Sequence, residues 1–207
     1  MPIVVVAEGD SCTSIAHAAG HTVKKVWNHG QNAALKAKRK DPNVLFPGDE
    51  LFVPEIETQE IDCPVDQKHN FQLTSEPAKF RTQLFMMEEP RKNEAYTLVI
   101  DGKVYQGTTD GDGKLEHEIP AEAKGGTLML KGGKEKYPIR IGYLNPVGET
   151  SGVQQRLNNL GFNAGSEDGS MNDATRKALA AFQKAAKLPE TGEADAATVA
   201  KLAALHP

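Results

Sequence analysis

The sequence predicts an α+β chain built from three small modules. Apolar residues fall at helical spacing near the N-terminus, alternate through the middle, and return to helical spacing toward the C-terminus. A polar stretch separates the first two regimes, and glycine-rich turns punctuate the second. A length of 207 residues leaves room for one ordinary domain or a few small ones. The expected divisions are 1–56, 57–146 and 147–207.

Composition narrows the functional classes. The apolar fraction is 39%, the charged fraction 25% and the formal net charge −4, as in a water-soluble globular chain. An acidic balance gives no reason to expect nucleic acid, whose partners are usually basic. No apolar run approaches the roughly 20 residues needed to cross a bilayer, so no membrane partner is expected. The opening MPIVVVAEGD has no Lys or Arg and makes a poor secretion signal. Cys12 and Cys63 are too few for a disulfide framework; they could pair with each other, but buried or idle thiols are the preferred reading.

In the first module, Ile3 to Val6 is a β-branched run and hence a strand. Asp10 or Ser11 caps the next helix, which carries Ile15, Ala18 and Ala19 inward and ends at Gly20. Thr22 caps a second helix with Val23, Val26 and Trp27. Ala33 to Lys40 is again helical and strongly basic. Pro42, Pro47 and the Gly48-Asp49 turn then feed a closing strand, Glu50 to Val53, stopped by Pro54. The expected framework is βααβ.

GDSCTSIA, then Trp27 and Asn32, then NVLFPGDELFVP, together resemble a LysM domain, whose pattern is GD-x-L-x-x-IA, a central Asn, and I-x-PG-x-x-L-x-IP. Cys12 replaces the usual Leu, and the segment between Asn32 and Asn43 is longer and more basic than usual. The resemblance implies binding of N-acetylglucosamine polymers such as peptidoglycan between two loops. One wall would be Gly9, Asp10, Ser11, Cys12 and Thr13; the other Asn43, Val44, Leu45 and Phe46. Backbone groups there can bond N-acetyl groups, while Leu45 and Phe46 can cover sugar faces.

The second module opens with a polar linker, Glu57 to Asn70. Strands follow at Phe80–Met87, Tyr96–Ile100, Lys103–Gly107, Lys114–Ile119, Thr127–Leu130 and Tyr137–Ile141, separated by turns such as Asp101-Gly102. They predict a small antiparallel β-sandwich connected as a meander of hairpins. YQGTTDGDGKLEHEIP resembles one hairpin of the transthyretin-like or carboxypeptidase-regulatory-like sandwiches. Asp110 and Asp112 do not make a calcium loop, because Lys114 occupies the third ligand position. His117-Glu118 is no zinc motif, because Pro120 breaks any helix and Ala121 stands where a second His belongs. No metal or cofactor is expected.

In the last module, Ser151 caps a helix with Val153, Leu157 and Leu160 inward, ended by Gly161. Asn172 or Asp173 caps a second with Ala178, Leu179, Phe182 and Ala185 on one face, and Asp195 caps a third with Val199 and Leu202. Three short helices just close a core at this size. VQQRLNNLGF and EDGSMNDATRKALAAFQKAAKLPETGEADAATVAKL resemble the peptidoglycan-binding domain 1 family, through Val153, Leu157, Leu160, Gly161, Asp168, Gly169, Thr175, Ala178, Leu179, Phe182, Gln183, Leu188, Thr191, Gly192, Thr198 and Leu202. Met171-Asn172 departs from the family's usual Phe-Gly.

No catalytic residues are expected. A glycosidase needs two carboxylates across a cleft, and no stretch outside the two binding modules is large enough to build one. Cys12 with His17, or Cys63 with His69, lacks the scaffold of a cysteine peptidase. The resulting expectation is a non-catalytic peptidoglycan-binding protein. The arrangement of modules resembles proteins accompanying contractile injection machines, such as type VI secretion or phage-tail-like systems. That resemblance implies secretion-spike or effector proteins as further partners. It also implies synthesis in the cytoplasm, with action at the cell wall after non-Sec export or within a cytoplasmic machine. The alternatives are an assembly part whose LysM fold binds protein, and a targeting subunit for a separate cell-wall hydrolase.

Overall fold

The structure is a computed structural model and describes residues 3–57, 62–70, 77–86 and 89–206. In the first module, β1 (Ile3–Val5) is followed by α1 (Cys12–Ala18), α2 (Val23–Trp27), a 3₁₀ turn (Gly30–Asn32), α3 (Ala33–Arg39) and β2 (Glu50–Phe52). The two strands pair antiparallel, with Val4 opposite Leu51. The βααβ expectation is therefore one helix short. Residues 33–39 are mostly strong helix formers, and Leu35 drops into the core, so the basic segment becomes a full helix.

Local signals fix the helix ends. Ser11 and Ser14 form a reciprocal capping box, each hydroxyl accepting from the other's backbone N–H, at 3.0 and 3.1 Å. Such a cap is worth about 1 kcal/mol. Gly20 adopts φ +70, which suits glycine at a helix exit, and Thr22 caps α2. Val6, Ile15, Ala16, Val26, Trp27, Leu45, Leu51 and Val53 make the core. Asn32 is buried beside it: its amide donates to the carbonyls of Val26 and Phe52, and its oxygen accepts from Phe52 N–H, each at 2.8 Å. One side chain thus fastens α2 to β2.

The second module contains β3 (Ala78–Gln83), β4 (Phe85–Met86), β5 (Glu89–Pro90), β6 (Ala95–Ile100), β7 (Lys103–Thr108), β8 (Lys114–Ile119), β9 (Gly125–Leu130) and β10 (Glu135–Arg140). The last residue of the first expected strand, Met87, lies outside the described residues. A four-stranded antiparallel sheet runs β10-β9-β6-β7, and β3 pairs with β8 apart from it. Leu98, Ile100, Leu128 and Leu130 from the larger sheet meet Leu115, Ile119 and Phe80 from the smaller pair. This is a sandwich but not a meander. Leu115 and Ile119 bury one face of β8, so β8 leaves β7 to cover the core while β9 returns to pair with β6.

The third module packs α4 (Thr150–Asn159), α5 (Asp173–Ala185) and α6 (Ala196–Leu205) around Val153, Leu157, Leu179, Phe182 and Leu202. Asn172 caps α5 and Asp195 caps α6, each accepting from the N–H three residues on. Ser151 is not a cap. The turn closed by Glu149 N–H to Pro146 O starts α4 earlier, and Ser151 Oγ accepts from Asn145 Nδ2 instead. The buried Arg156 donates to the carbonyls of Asn145, Gly152 and His206, tying the C-terminal end to the connector before α4. Burial pulls its pKa down to about 10, against a small opposing pull from Asp41, so it stays charged at neutral pH.

Candidate functional site

The loops at 9–13 and 43–46 lie side by side, joined by hydrogen bonds. Cys12 N–H donates to Pro42 O at 2.9 Å, and Thr13 Oγ1 donates to Asn43 Oδ1 at 2.5 Å. Asp41 Oδ1 accepts from Asn43 N–H and shapes the second loop. The nine candidate residues then divide by burial. Cys12, Thr13 and Leu45 are buried, and Cys12 and Leu45 belong to the core. Asn43 is exposed, while Ser11, Val44 and Phe46 are half-buried. What this seam offers a ligand is therefore polar edge and backbone, with Val44 and Phe46 as apolar surface. Burial pushes the Cys12 thiol up to about 12, so it is protonated and unreactive at neutral pH.

Gly9 and Asp10 meet residues from beyond the first module. Gly9 is buried beneath Tyr143, whose ring carbons come to 3.0 Å from where a Gly9 Cβ would stand. Lys124 Nζ donates to Gly9 O at 3.0 Å and lies 3.4 Å from Asp10 Oδ1. Nothing in the local sequence announces these contacts, because both partners lie more than a hundred residues away.

A second bridge joins the first and third modules. Asp49 receives two parallel hydrogen bonds from Arg39, whose remaining arm reaches Glu149 Oε1 at 3.0 Å. Both side chains of the Arg39–Asp49 pair are at least nine-tenths covered. Such charge-assisted, two-pronged contacts fix orientation as well as attraction. Arg39 also sits 5.5 Å over the Phe46 ring, which holds that aromatic at the end of the second loop.

In the third module the loops before α5 and α6 are built alike. Gln154 accepts from Gly169 N–H through Oε1, and its amide donates to Ser170 O and Thr175 Oγ1. Gln183 accepts from Gly192 N–H, and its amide engages Glu193 O, Thr191 Oγ1 and Thr198 Oγ1. Both glutamines are completely buried. Gln154 escaped the sequence reading, yet a signal exists. Val153-Gln154 and Phe182-Gln183 each precede a Gly-x-x-Asn/Asp-x-x-Thr stretch, at 169–175 and 192–198.

Chemistry elsewhere is sparse. Among the described residues no group of three His, Cys, Asp or Glu is placed to hold a metal ion. Asp110 Oδ1 accepts from the N–H groups of Asp112 and Lys114, which makes a turn. His117 lies in β8 and shares a hydrogen bond with Tyr96 Oη at 2.8 Å. Shallow depressions of about 100 Å³ beside Asn32 and Phe52, and about 290 Å³ beside Thr97 and Met129, contain none of the nine candidate residues. No helix among the described residues is long and apolar enough to cross a membrane.

Comparison with known proteins adds one finding. Residues 148–202 match the family model described as a putative peptidoglycan binding domain. That supports the assignment of the C-terminal helices reached from their sequence. No curated protein and no solved structure matches the chain.

Proposed function

We propose that the protein is a non-catalytic peptidoglycan-binding protein with two grips on the same polymer. The observation that carries the reading is the match of residues 148–202 to the peptidoglycan-binding family model, over helices that close a complete core. Support for a second grip comes from the first module. Its sequence resembles LysM, and its loops at Ser11–Thr13 and Asn43–Phe46 lie together with Asn43 exposed. Modules this small bury little ligand area and bind weakly alone; two on one chain gain through effective concentration.

The place of action we assign is an accessory or effector-associated role in a contractile injection machine, type VI or phage-tail-like. The resemblance of module order supports this, and it would bring the chain to the wall with a spike or effector protein as partner. A second reading, an assembly part whose first module binds protein, gains from one observation. The Gly9–Asp10 turn packs against Tyr143 and Lys124 of the same chain, so one of its loops is engaged by polypeptide and not left open to glycan.

Sedimentation with purified cell-wall sacculi tests the main reading. The full chain is expected in the pellet, without release of soluble muropeptides. Retention in the supernatant at all protein concentrations, together with a stable complex with a spike protein, would favour assembly. Muropeptide release would overturn the non-catalytic claim.

A further inference from the structure

We propose that Tyr143 and Lys124, both outside the first module, limit which part of its glycan site a ligand can reach. They hold the Gly9–Asp10 backbone away from ligand and confine the intact chain to the short seam between Ser11–Thr13 and Asn43–Phe46. This rests on the glycan-binding reading above and says which part of that site is usable.

Four contacts converge on one turn. Gly9 has φ +86 and is buried, with Tyr143 ring carbons and hydroxyl 3.0 to 3.2 Å from its Cβ position. Gly142 faces it, and a Cβ there would stand 2.5 Å from Gly9 O. Two glycines thus let two backbones approach more closely than side chains permit. Lys124 Nζ occupies the Gly9 carbonyl at 3.0 Å and reaches toward Asp10. Arg140 lies 5.5 Å from the Tyr143 ring centroid, within cation–π range.

Lys124 takes one acceptor position of the Gly9 carbonyl and the Gly142 backbone crowds the rest, and a sugar cannot enter under Tyr143 without moving it. Any ligand contact at Gly9 must first break this set, and that lowers affinity by the cost of opening. The remaining seam keeps exposed Asn43 and half-buried Ser11, Val44 and Phe46, enough for a short stretch of polymer.

The test uses the full-length chain with Lys124→Ala, Tyr143→Ala and the double variant. Binding of a chitin hexamer is titrated, with Trp27 fluorescence reporting that each variant is folded. The double variant is expected to bind roughly three- to tenfold tighter, as expected from freeing about one hydrogen-bonded position. Backbone amide signals of Gly9 and Asp10 should move on titration in the variant and stay still in the parent. Equal or weaker affinity in a folded variant overturns the occlusion while leaving glycan binding intact. Absence of hexamer binding by parent and variants alike overturns both the occlusion and the glycan reading of the first module.

Discussion

Arg39 and Asp49 are locked together by two parallel hydrogen bonds, Nε to Oδ2 at 2.7 Å and Nη2 to Oδ1 at 2.9 Å. Asp49 Oδ2 also accepts from Phe46 N–H at 2.9 Å. The pair therefore sets the loop that bears Val44 to Phe46, and through Glu149 it orients the third module against the first. Removing Arg39 would leave the covered Asp49 with Lys38, 3.7 Å away, as its cationic neighbour.

Stability should fall in acid through Asp49. Burial opposes its ionisation, but the hydrogen bonds from Arg39 and Phe46 N–H outweigh burial and lower its pKa. A lowered folded pKa means the unfolded chain binds more protons across that interval. The contribution is thus complete above the ordinary carboxylate range and is lost as pH falls through the depressed value. Urea denaturation at neutral and at strongly acid pH should show the drop. Arg39→Ala is expected to cost about 1–3 kcal/mol at neutral pH, because the covered Asp49 loses its two charge-assisted hydrogen bonds and keeps only Lys38, 3.7 Å away, and the Phe46 N–H. An unchanged denaturation midpoint in that variant would contradict this.

Asn32→Ala should destabilise the first module by about 2–4 kcal/mol. It removes three hydrogen bonds and leaves the Val26 and Phe52 carbonyls and the Phe52 N–H without that partner. Chemical denaturation followed by Trp27 emission reads this directly, since Trp27 lies in the same core. A variant within a few tenths of a kcal/mol of the parent would refute the role.

Gln154→Leu and Gln183→Leu should behave as a pair. Each empties the partner of a loop glycine N–H and a buried threonine hydroxyl, at about 1–3 kcal/mol apiece. Thermal melting of the full chain is the check, with both substitutions lowering the transition of the third module. A fall for only one of them would break the equivalence.

The two thiols should differ in reactivity. Cys12 is fully buried, and burial raises its pKa to about 12, whereas Cys63 is exposed. A thiol-specific dye on the native chain should label one site quickly, and the second only on unfolding. Two fast sites would mean that the Cys12 turn is open in solution.

Local chemistry made much of the fold legible. Ser11, Thr22 and Asp195 cap where their side chains and the following apolar spacing said they should. Asp101-Gly102 turns the β6–β7 hairpin with positive φ at both residues. What stayed hidden depends on partners distant in sequence. The transfer of β8 to pair with β3 is set by which apolar faces meet, and alternation alone does not rank possible partners. Gln154 is not among the apolar positions that mark its helix, and its loop glycine lies fifteen positions away. The candidate seam was legible as two loops, but Cys12 and Leu45 turned inward, and the cover over Gly9 comes from residues no local pattern connects to it.

The most direct test of the central claim is amide chemical-shift mapping of the labelled full chain with soluble murein fragments. Two-ended binding predicts shifts within 148–202 together with a second set at Ser11–Thr13 and Asn43–Phe46. Spectra that remain unchanged at both ends through saturating fragment concentrations would contradict it.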